Sequence, residues 1–143
     1  MADNRKPEDF EDATQKHLEL IQGVISRLAQ NSFLLKGWSV TLVAAILALA
    51  SRNPSFYLVV VAIFPALLFW GLDAFYLGQE RHFRELYKEA RAGEIEVLSM
   101  DPYGYESGIG GWLKAVFSRS VLPFHIVVVG VVIAAGVITQ ASA

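Results

Sequence analysis

The chain has 143 residues, 54% of them hydrophobic, no cysteine, and a formal net charge of −2. The lack of cysteine excludes disulfides, thiolate metal sites and cysteine nucleophiles, and the slight acidity offers no electrostatic basis for a nucleic-acid partner. A mean hydropathy of +0.41 points away from a small water-soluble domain and towards an all-α integral membrane protein.

The opening MADNRKPEDFEDATQK is polar and acidic, without the apolar core or small-residue cleavage site of a secretory signal. Residues 1–12 read as a polar tail, and the first apolar run as a membrane anchor that is retained. Between Ala13 and Leu35, apolar residues fall at Leu18, Ile21, Ile25, Leu28 and Leu35, in alternating steps of three and four with Ser32 breaking the seam. The other faces carry Gln15, Lys16, Glu19, Gln22, Arg27 and Gln30, so residues 13–32 form a helix standing in water with one narrow apolar stripe.

Residues 33–50 then form a first transmembrane helix, SRNPS a tight turn, and residues 55–77 a second transmembrane helix. A third spans residues 120–140. Their apolar runs, Phe33–Ala50, Phe56–Leu77 and Val121–Thr139, hold 18, 22 and 19 residues. At about 1.5 Å per residue each reaches about 27–33 Å, close to the hydrocarbon thickness of a bilayer. From Tyr76 at the end of the second span the stripe returns, with Phe83, Leu86 and Ala90 carrying it along residues 78–92 and Gly93 suited to end the helix. The short turn makes the first two spans antiparallel neighbours, so residues 13–93 read as one long helical hairpin with a cytoplasmic stalk. The two stripes either satisfy each other within one chain or face neighbouring subunits.

Residues 94–119 read as a cytoplasmic loop ending in an interfacial helix. EIEVLSMDPYGYESGIGG is rich in turn formers, and its glycines lack the lysine and hydroxyl of a phosphate-binding loop. In WLKAVFSRS, Trp112, Val116 and Phe117 suit the acyl boundary while Lys114 and Arg119 suit phosphates. Five of the twelve basic residues precede or open the first span and six lie between the second and third; Arg52 stands alone in the turn. That asymmetry predicts a cytoplasmic N-terminus, an external C-terminus and residence in the inner membrane.

Three ionisable side chains share one predicted layer. Lys36 is the fourth residue of a span entered from the cytoplasm, Asp73 is five residues from the end of the second span, and His125 is the fifth residue of the third. A charge at the bilayer centre costs about 3 kcal/mol, less towards the interface. The lysine stem can return its ammonium to the headgroups, whereas the Asp73 carboxylate must be protonated, hydrated or paired. Lys36 and Asp73 differ in depth by about one helical turn, so they pair, in the same or an adjacent chain, or snorkel and hydrate independently, or line an ion or proton path. His125 reads as a hydrogen-bonded structural histidine. Small residues at four-residue spacing, Gly37, Thr41 and Ala45 in the first span and Gly130 and Ala134 in the third, are candidate helix-packing faces. They favour a homo-oligomer. Pro65 is a candidate kink in the second span, and Trp38, Trp70, Tyr76 and Trp112 form an aromatic belt.

The layout of residues 13–93 resembles small bacterial membrane proteins of the SLATT type and the membrane accessories of some CRISPR systems. That resemblance implies a transmembrane hairpin coupled to cytoplasmic helices that perturbs the membrane. No nucleophile with its base, cofactor motif or metal-ligand spacing occurs, so the expectation is a non-enzyme without cofactor or metal. Two functions remain: a homo-oligomeric ion channel or pore gated through its cytoplasmic helices, or a non-conducting membrane-anchored scaffold whose stalk docks a protein partner.

Overall fold

A computed structural model describes residues 7–52, 56–94, 96, 98–101 and 108–141. Among them every regular element is a helix: α1 Pro7–Arg52, α2 Phe56–Ala92, α3 Ile109–Val116 and α4 Leu122–Ala141. Three of the four, α1, α2 and α4, are long and apolar enough to cross a membrane.

The first helix runs unbroken for 46 residues and the second for 37. At 1.5 Å per residue they reach about 69 and 55 Å, roughly twice a bilayer's hydrocarbon core, so both continue past it at their more polar ends. The first helix starts at Pro7, inside the segment expected to be a tail. Of the SRNPS segment expected as a turn, Ser51 and Arg52 still belong to α1, and residues 53–55 fall outside the described residues.

The two long helices pack side by side along two cores with different physics. At the polar end, Ile21, Leu86 and Ala90 are buried, with Leu18, Ile25, Phe83 and Tyr87 against them. The two apolar stripes therefore close on each other within one chain. In water this burial is hydrophobic, worth about 1.5–3 kcal/mol for a side chain the size of Ile21 or Leu86. At the apolar end the core is Val43 and Ala50 of α1, Val59, Ala62 and Ala66 of α2, and Val128 and Val132 of α4. In lipid there is no hydrophobic drive between helices, so small residues and close van der Waals contact must hold this half. Ala62 and Ala66, four residues apart and fully buried, supply the small face of α2. Pro65 is also buried, and α2 continues through it.

Gly93 ends α2 as expected. Its φ of +75° lets its N–H donate to the Ala90 carbonyl at 3.2 Å while the Glu94 N–H donates to Glu89 at 3.0 Å, the paired bonds of a Schellman cap. The chain then returns along the stalk: the Ser99 N–H donates to the Glu96 carbonyl at 3.0 Å, and the buried His17 of α1 donates from Nε2 to the Ser99 carbonyl at 2.7 Å.

The predicted short helix is present as α3, but begins at Ile109, so Gly110 and Gly111 are helical rather than loop. The junction from α3 to α4 is tight. The Ser118 carbonyl accepts from both Val121 N–H at 3.2 Å and Leu122 N–H at 2.9 Å, and this fixes where α4 starts, and hence where His125 sits.

Candidate functional site: a buried polar cluster joining the three long helices

Asp73 is fully buried where α1, α2 and α4 meet. Its carboxylate has partners on both other helices. Lys36 Nζ of α1 lies 2.6 Å from Oδ2, His125 Nε2 of α4 lies 3.0 Å from the same oxygen, and the Ser32 hydroxyl of α1 donates to Oδ1. Lys36 Nζ also donates to Ser32 Oγ at 3.0 Å. Facing a carboxylate, which can only accept, His125 Nε2 is the donor of this bond.

The geometry follows from helical spacing. Ser32 and Lys36 are one turn apart on α1 and so present their side chains on one face. The lysine stem rises along α1, with its side chain one-fifth exposed, while the carboxylate has no exposure. Asp73 is too short to reach water from that position, so the partners come to it.

The aromatic residues do more than mark a boundary. Trp70 stacks on His125, with ring centroids 5.9 Å apart and planes 6° from parallel, and its Nε1 donates to the Val116 carbonyl at 3.2 Å. Phe124 meets the imidazole edge-on, with ring centroids 5.0 Å apart. Trp112 Nε1 donates to the Gly71 carbonyl at 3.1 Å. The two indoles therefore tie the end of α3 and its start to α2, and they wall the cluster on the side of α3. His125 Nδ1 is buried with no hydrogen-bond partner among the described residues.

Of the residues singled out from sequence, Lys36, Asp73 and His125 are brought together. The small-residue faces are not used within this chain: Gly37, Thr41, Ala45, Gly130 and Ala134 all lie exposed on the outside of the bundle. The contacts between the spans are made instead by Val43, Ala50, Ala62, Ala66, Val128 and Val132. Sequence reasoning missed Ser32. Its signal was visible as the one polar position in the α1 seam, where a hydroxyl takes the place of an apolar side chain because it faces a carboxylate. The bonds made by Trp70 and Trp112 had no sequence signal beyond their position near a boundary.

No family model, curated protein or solved structure matches this chain.

Proposed function

We propose that this protein is a non-conducting membrane-anchored scaffold whose helical stalk docks a protein partner in the cytoplasm. One observation carries this reading. The charged side chains of the membrane layer satisfy one another inside a single chain, with the Asp73 carboxylate enclosed by Lys36, Ser32 and His125. A permeation path needs polar groups turned towards water or an oligomer axis, and here they are turned inward as a clasp. On the stalk, Phe10 and Leu20 stand 63% and 45% exposed. The distribution of basic residues supports a cytoplasmic stalk.

A gated homo-oligomeric pore is the second reading, favoured by the exposed small-residue line of Gly37, Thr41 and Ala45, which is free to pack against another subunit. In that case the SLATT-type resemblance would extend to function.

The deciding experiment is ion flux from liposomes carrying the full chain, together with single-particle imaging of the same preparation, for wild type and Asp73→Asn. The scaffold reading expects no flux above empty liposomes from either protein. A closed ring whose flux changes with the substitution would overturn it in favour of the pore.

A further inference from the structure

Beside the stalk core, between α1 and α2, lies an open groove of about 620 Å³ whose polar lining is Gln22 and Ser26 from α1 and Arg81, Arg84, Glu85 and Lys88 from α2. We propose that this groove binds the headgroup of an anionic phospholipid. The inference is independent of whether the protein conducts or docks a partner.

Three observations converge on that ligand. The first is height. Arg81 lies four residues beyond Leu77, the last residue of the second apolar run, about 6 Å at the helical rise, and the headgroup layer occupies roughly the first 5–7 Å outside the hydrocarbon. The guanidinium therefore stands at phosphate level and the groove opens outward from there.

The second is charge. From Leu20 to Arg52, α1 contains no Asp or Glu, so its wall of the groove offers only neutral donors. On α2, Arg84 pairs with Glu80 at 2.7 Å and Lys88 with Glu85 at 2.7 Å. Arg81 makes no ion pair with any described residue and is exposed. Among the described residues that line the groove it is the surplus cation.

The third is how little holds the other two cations. Arg84 and Lys88 are 58% and 69% exposed and held only by partners on their own helix; the Lys88–Glu85 pair, exposed at both ends, contributes only about 0.3–0.5 kcal/mol. A phosphate seated on Arg81 can recruit either of them with small loss, and a planar guanidinium suits phosphate with two parallel N–H bonds. The leaflet's own anionic lipids, held at high local concentration, are attracted by roughly 1 kcal/mol per basic residue near the surface.

The test uses the full chain purified in a neutral detergent and titrated with phosphatidylglycerol or phosphatidylcholine, with lipid adducts counted by native mass spectrometry. Phosphatidylglycerol should bind more tightly than phosphatidylcholine, and Arg81→Gln should weaken it by about tenfold, as loss of a charge-assisted bond implies. Arg27→Gln, at similar height on α1 but outside the groove, should leave binding unchanged. Circular dichroism and the melting temperature confirm that both variants are folded, as expected for exposed positions. Equal weakening by Arg27→Gln, or no preference for phosphatidylglycerol, would overturn the site. If soluble glycerol phosphate displaces phosphatidylglycerol at comparable concentration, the groove is a site for a free phosphate and the lipid assignment fails.

Discussion

Asp73 is the residue on which the most structure depends. It is fully buried, and its partners come from α1 and α4. Replacing one member of a buried ion pair leaves the other charge uncompensated, typically at about 3–5 kcal/mol, whereas replacing both with apolar groups of similar volume is often close to neutral. Asp73→Asn is therefore expected to lower the thermal stability of the protein in nanodiscs markedly, and Lys36→Met added to it should restore much of the loss. Strictly additive losses in that double-mutant cycle would mean that the two side chains do not act as a pair. A smaller effect is expected at Trp70, which both stacks on His125 and donates to the Val116 carbonyl. Trp70→Phe keeps a ring against the imidazole and removes the donor, so the expected cost is about 1 kcal/mol by the same melting measurement. A neutral result would show that Val116 finds another donor.

Among the helices, the surprise is which small residues pack. The four-residue spacing of Gly37, Thr41 and Ala45 and of Gly130 and Ala134 marks faces turned outward, while the same spacing at Ala62 and Ala66 marks the face that is buried. Sequence spacing alone ranks these faces equally, because it says which residues share a side and not what that side meets. Ala66→Leu is expected to force α2 away from its neighbours, at about 1–3 kcal/mol. Ala134→Leu should leave the stability of the isolated chain within about 0.5 kcal/mol and change behaviour only where α4 packs on a second subunit. Thermal melts and native mass spectrometry of the two variants separate these outcomes. In the stalk, Leu86 is 2% exposed, and Leu86→Ala should cost about 2–5 kcal/mol.

At the scale of the whole molecule, one hairpin crosses two solvents. The stalk core of Ile21, Leu86 and Ala90 rests on the hydrophobic effect, which urea weakens. The membrane half rests on packing and on the Asp73 cluster, where lipid excludes both water and urea. Unfolding in urea should therefore proceed in two stages. Hydrogen exchange in nanodiscs should show amides near Ile21 and Leu86 losing protection at lower urea than those from Ala62 to Asp73. Simultaneous loss of protection along both helices would show instead that the hairpin is one cooperative unit.

The sequence by itself determined that the chain is all-helical, that three of its segments are long and apolar enough to span a bilayer, and that α2 stops at Gly93. These are local properties, set by composition, by periodicity, and by the one residue type that adopts a positive φ without penalty. Depth was legible too, since counting along each apolar run set Lys36, Asp73 and His125 in one layer. Tertiary structure alone decided that Asp73 pairs within its own chain, that Ser32 completes its shell, and that Trp70 and Trp112 tether α3. Depth along a helix follows from counting residues, but azimuth relative to two other helices depends on how all three pack at once, and a pairing between helices is a matter of azimuth.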